Sequence, residues 1–162
     1  MPSTSAAVSR GANRRRAAER PQPTLLYVIK QVELAVRARL DEILRPAGIS
    51  VLQYTALTVL ERHPDLSSAQ LARNSFVTAQ SMADMVVALQ ERGLIERHRD
   101  PEDRRRLVLA LTPEGRKLLN RYRPKVAALE EEMLAPLSAR QAGDLRRSLA
   151  ACRVALVDRP PH

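Results

Sequence analysis

At 162 residues, 44% hydrophobic and 28% charged, the chain is long enough for one domain with a real core, or for a small head whose extension pairs with a second copy, and short for two independent domains. A net charge of +9 and a sequence pI near 10.9 point to a polyanionic partner, because Lys and Arg that neutralise phosphates release condensed counterions. The single cysteine, Cys152, excludes an internal disulfide, and no apolar run approaches the ~20 residues of a membrane helix, so a soluble, cytoplasmic protein with no membrane partner is expected.

Residues 1–24 hold Pro2, Pro21, Pro23 and Arg14-Arg15-Arg16 and almost no large apolar side chains. Such a stretch cannot bury enough surface to offset its chain entropy, which predicts a disordered basic tail carrying +4 of the net charge, five Arg against Glu19. From Leu25 the apolar positions Leu25, Ile29, Val32, Val36, Leu40 and Ile43 recur every three or four residues, the period of an amphipathic helix that Pro46 and Gly48 end. Ser50-Val-Leu-Gln53 has the form of a capping box and opens a second helix, with Tyr54, Leu57 and Leu60 inward, stopping near His63-Pro64.

The capping signature recurs at Ser67-Ser-Ala-Gln70, predicting a short helix to Arg73, a turn at Asn74-Ser75 with Phe76 and Val77 anchored in the core, and a helix from the N-cap Thr78 to Arg92. Met82, Met85, Val86 and Leu89 form its apolar face, while Thr78, Gln80, Ser81 and Asp84 offer short hydrogen-bonding groups on or near the other, a distribution suited to the DNA major groove. Past Gly93, residues Leu94 to Arg99 and Leu107 to Leu111 read as a strand pair, with Leu107, Leu109 and Leu111 expected on one face. The loop between them, Asp100-Pro-Glu-Asp-Arg-Arg-Arg106, puts three Arg and three acids in seven residues. A protruding Arg-bearing loop suits a narrow minor groove, and Asp103 beside Arg104 and Arg105 is placed to hold a guanidinium in position.

Thr112-Pro113-Glu114 is a strong helix start, and Leu119, Tyr122, Val126, Leu129 and Met133 follow at the seam spacing of helices packed along their length. Pro124 interrupts this helix and predicts a bend or break there. A last helix begins at Ser138-Ala-Arg-Gln141 and carries Leu145, Leu149, Cys152 and Leu156 on one stripe, with Cys152 read as a small hydrophobe in the packing. These seams are too long and apolar for so small a head to cover, so helix one and the last two helices are expected to bury against a second copy. His63, His98 and His162 are too scattered for a zinc site, and no phosphate-cradling loop or nucleophile elbow occurs, so no metal, no cofactor and no enzyme activity are expected.

The strings Gly93-Leu-Ile-Glu-Arg97, Asp100-Pro-Glu-Asp-Arg-Arg105 and Leu109-Ala-Leu-Thr-Pro-Glu-Gly115 resemble the winged helix-turn-helix core of the MarR family of bacterial transcriptional regulators. The resemblance covers Leu25 to Val157 and implies a mainly α fold with a small β-hairpin wing: a winged head over 50–112 on dimerisation helices over 25–46 and 113–157, forming a single domain over 25–162. It further implies a homodimeric repressor that binds double-stranded DNA at palindromic operators. Its DNA-binding residues would be Ser67, Thr78, Ala79, Gln80, Ser81 and Asp84 of the helix-turn-helix and Asp103, Arg104 and Arg105 of the wing. Val87-Ala88 stands where members of the family often carry a basic residue, so base readout leans on Gln80, Ser81 and their neighbours. Small aromatic or anionic effectors bind members of the family near the junction of head and dimer helices, for which Arg37, Arg39 and Tyr54 are the candidates here. Two readings from other classes stay open at this point, a ligand-independent architectural DNA binder and a protein-interaction module.

Overall fold

The structure, a computed structural model, describes residues 22–157; the expected tail lies outside them except for residues 22–24. Among the described residues six α-helices, a 3-10 turn (Arg45–Ala47) and one hairpin follow in order: α1 (Leu25–Leu44), α2 (Val51–Arg62), α3 (Ser68–Asn74), α4 (Ala79–Glu91), β1 (Ile95–Arg99), β2 (Leu107–Leu111), α5 (Pro113–Leu134) and α6 (Ala139–Val157), the 3-10 turn lying between α1 and α2. The chain divides into two compact units after Val36. Of the first unit, the described part is the N-terminal stretch of α1, where Leu25, Leu26, Tyr27, Ile29, Val32 and Leu34 are all exposed. Among the described residues no single helix is long and apolar enough to cross a membrane.

The second unit is built around one core. Leu44, Tyr54, Leu57, Leu60, Leu71, Met82, Val86, Leu89, Leu109, Leu111, Leu119 and Tyr122 bury together, which draws α2 to α5 and the hairpin around a single apolar centre. Each helix start uses the cap that its sequence supplies. Ser50 and Ser67 close reciprocal capping boxes with Gln53 and Gln70, and Thr78 Oγ1 accepts the Ser81 amide. At the other end of α4, Gly93 adopts φ +67 while the Gly93 and Leu94 amides donate back to the Gln90 and Leu89 carbonyls. That is a Schellman closure, and it aims the chain into β1.

The hairpin pairs antiparallel, Ile95 with Leu111 through Arg99 with Leu107. The link between α2 and α3 joins its free edge: the Leu109 amide donates to Leu66, and the Asp65 amide to Leu109. Burial along β2 does not follow its alternation. Leu109 and Leu111 are buried, but Leu107 is 49% exposed, and Val108 on the opposite face is buried as well. Leu107 pairs with Arg99 at the loop end of the ribbon, away from the covering helices.

Two further expectations change. Phe76 is not a core anchor: at φ +57 its side chain turns outward and is 72% exposed, while Ser75 and Val77 fill the inner side of the turn. Helix α5 runs from Pro113 to Leu134 without a break at Pro124, so of the expected bend or break only the break is excluded. The proline removes the amide that would reach the Asn120 carbonyl, yet both residues are exposed, so water can serve that carbonyl while Tyr122 and Leu129 hold the flanking turns in place.

Candidate nucleic-acid interface

The N-terminal turn of α4 is the first component. Thr78 Oγ1 both accepts the Ser81 amide at 3.1 Å and lies 2.9 Å from Ser81 Oγ, so the two hydroxyls are held by the cap. Gln80 Nε2 donates to Asp84 Oδ1 at 3.2 Å, fixing the amide along the helix face. Thr78, Ala79, Gln80, Ser81 and Asp84 are all exposed, while Met82, Val86 and Leu89 fix the opposite face in the core. Val87 is 51% exposed and follows Gln80 by seven residues, so it shares that face. Val87 stands where a basic residue is common in the resembled family, and its exposed methyls suit the methyl group of thymine.

Helix α4 contains two acids and no basic residue. The nearest guanidinium, Arg92, is committed elsewhere, donating to the Ala47 and Gly48 carbonyls at 2.6 Å each and tying the end of α4 to the turn after α1. Helix α4 therefore brings no positive charge of its own, and the exposed Arg side chains of the wing lie outside it.

At the loop end of the wing, Arg99, Arg104, Arg105 and Arg106 separate into two kinds. Arg99 donates to the Arg104 carbonyl at 2.9 Å and stiffens the loop from its base. Arg106 reaches Gln70 Oε1 at 3.1 Å and faces Asp100 at 3.5 Å. Because the same Gln70 oxygen accepts the Ser67 amide at 2.9 Å, one side chain couples the capping box of α3 to the wing. This link is invisible in sequence, since 36 residues separate its ends. Arg104 and Arg105 are exposed and their guanidiniums have no ion-pair partner among the described residues.

Asp103 does something other than expected. Its Oδ1 accepts the Arg105 backbone amide at 3.0 Å, and its carbonyl accepts the Arg106 amide at 2.9 Å, so it shapes the loop and does not hold a guanidinium. A two-residue step back to a backbone amide is the short-range bond an aspartate makes most readily. At the wing's foot, Thr112 Oγ1 accepts the Gly115 amide and donates to the Gly93 carbonyl at 2.6 Å. Gly115 is required here, because a Cβ at that position would lie 2.2 Å from the Leu94 carbonyl oxygen.

The three effector candidates have different surroundings. Arg39 makes a two-pronged contact with Glu132, 3.1 and 2.9 Å, which holds its guanidinium above the ordinary arginine value. Arg37 is exposed on α1, whereas Tyr54 is buried in the core. Burial pushes the Tyr54 phenol above its ordinary value, with Arg123 pulling it down and Glu61 pushing it up.

A helix pair with a tight turn, an apolar back face and an attached two-stranded ribbon is a winged helix-turn-helix, the architecture of a DNA-reading head. The sequence profile of the MarR family matches residues 47–106. The transcriptional repressor Rv2887 of Mycobacterium tuberculosis is 32% identical over 123 residues, 76% of this chain and 88% of the relative. The crystal structure of Rv2887 in complex with DNA superposes with a TM-score of 0.66 at 30% identity, over 81% of this chain and 98% of that one. The transcriptional repressor CouR bound to a 23-mer DNA duplex gives 0.69 at 30% identity, over 81% and 92%. This chain belongs to the MarR family of transcriptional regulators.

Proposed function

We propose that this protein is a DNA-binding transcriptional repressor that acts as a homodimer on palindromic operators and is released by a small aromatic or anionic ligand. One observation carries the DNA-binding part: the capped N-terminal turn of α4 and the unpaired Arg104 and Arg105 are exposed and uncommitted, while Arg99 and Arg106 on either side of them in the wing are engaged. In this reading Gln80, Ser81 and Val87 read base edges in the major groove, Ser67, Thr78 and Ala79 lie along phosphates, Asp84 orients Gln80, and the wing enters the minor groove with Asp103 shaping its loop.

Homodimerisation is supported by the apolar residues left exposed: Leu25, Leu26, Ile29 and Val32 on α1 and Leu145, Leu149 and Leu156 on α6. A twofold pair of heads about 34 Å apart would meet successive major grooves on one face of DNA. A ligand that favours another spacing lowers DNA affinity by its differential binding to the two states. Arg37, Arg39 and Tyr54 remain the effector candidates, and an anion there must compete with Glu132 for Arg39.

The absence of basic residues from α4 favours one second reading, a binder held by backbone charge with little sequence preference. Titrating the protein with a duplex from upstream of its own gene and with a scrambled duplex, at two salt concentrations, separates the two. Preference for the native duplex at both salts is expected; equal affinity would replace the operator-specific reading with the architectural one.

A further inference from the structure

Asp65 lies in the link between α2 and α3, while His98 lies on β1. The Asp65 amide donates to the Leu109 carbonyl, so the link flanks β2 on one edge and β1 flanks it on the other. His98 Nε2 nevertheless lies 2.7 Å from Asp65 Oδ1, a contact that spans β2 from one side to the other. Among the described residues neither side chain has another partner. Beneath the contact is Val108, which pairs with His98 and so shares its face. Val108 is fully buried although it points away from Leu109 and Leu111, through which β2 joins the core.

The backbone adds a second observation. Asp65 sits at φ +64, in the left-handed region that glycine enters freely and most side chains avoid. What a glycine there would lack is the carboxylate, and the carboxylate meets the ring across the strand. An imidazole with a proton on Nε2 donates to a carboxylate whether or not the ring is charged. A further tie lies at the loop, where Arg106, next to Arg104 and Arg105, reaches Gln70. Both ties end on the short stretch from Asp65 to Gln70, which carries the capping box of α3 and leads through that helix and one turn into α4. The wing is thus fastened, at its strand and at its loop, to the same stretch of chain that sets the recognition helix.

We propose that Asp65 and His98 are positioning residues for DNA binding: their contact straps the wing to the α2–α3 link and sets where Arg104 and Arg105 stand relative to α4. The effect on DNA rests on the repressor reading; the strap on the wing does not.

Asp65→Gly suits the turn and removes the carboxylate. Thermal stability is therefore expected to hold, while hydrogen exchange on the full chain shows the amides of residues 99–107 opening about fivefold faster. Charge alone would tighten DNA binding in this variant, because a negative group is lost. The strap predicts the opposite, about fivefold weaker binding to the duplex from upstream of the gene, with a similar loss in His98→Leu. His98→Gln, whose amide keeps a donor, should recover most of that loss. In a chain carrying Arg104→Ala and Arg105→Ala, adding Asp65→Gly should weaken binding no further, since no guanidinium is left to place. Unchanged or tighter duplex binding by Asp65→Gly would overturn the proposal, as would unchanged exchange in the wing. So would an equal loss in the chain without Arg104 and Arg105, which would make the contact a support for the head as a whole. His98→Gln as weak as His98→Leu would overturn it by making His98 a cover for Val108. A parent chain that binds no duplex, with a wing that Asp65→Gly loosens as expected, would leave the strap standing and remove its role in DNA binding together with the repressor reading.

Discussion

Arg104 and Arg105 differ from Arg99 and Arg106 only in their surroundings, yet that decides which of them can meet DNA. Arg105→Ala is expected to weaken duplex binding by about 1 kcal/mol or more and to lower the salt slope by about one, with the oligomeric state unchanged. Fluorescence anisotropy across a salt series reads both quantities, and unchanged affinity in a folded protein would remove Arg105 from the interface. A second residue-scale prediction concerns Tyr54. Its folded-state pKa is raised, chiefly by burial, so the folded chain favours the neutral phenol. The resulting stability is full below the ordinary value of 10.0 and is lost as pH rises through the folded value. Tyr54→Phe should therefore flatten the fall in urea stability above that pH; an equally steep fall would assign the alkaline loss to other groups. Of these side chains the sequence identified the types and roles sought, but not the commitments, because Asp103 and Arg106 choose partners by distances that only the closed loop sets.

At the scale of elements the signals were local and strong wherever a cap was present. Ser50, Ser67, Thr78 and Thr112 each begin the helix that their motif announces, since capping is settled within four residues. Helix α5 shows the limit of such reasoning, because a proline that breaks an isolated helix is carried through when both adjoining turns are anchored. Pro124→Ala restores one backbone hydrogen bond at an exposed position and should raise stability by about 1–3 kcal/mol in urea unfolding. No gain would mean that the helix is already bent to suit the proline. Leu107 of strand β2 shares the face of Leu109 and Leu111 but stays exposed, since alternation reports burial only where another layer covers the strand.

For the molecule as a whole, apolar residues on α1 and α6 remain exposed in the single chain, and Cys152, expected within the packing, is exposed with them. In the proposed homodimer these positions are covered by the partner. Leu149→Glu should then shift the protein from dimer to monomer in sedimentation velocity and reduce operator affinity together, because one head alone loses the effective concentration that its twin provides. A monomeric parent chain, or a Leu149→Glu dimer of full affinity, would contradict that assembly. The sequence by itself determined the helix order, the caps, the hairpin and the family, since periodicity, capping and turn chemistry act over a few neighbouring residues. Only the tertiary structure decided which Arg side chains are committed, that Phe76 faces outward, and that Asp65 meets His98 across β2, because each depends on groups far apart in the chain that packing alone brings together.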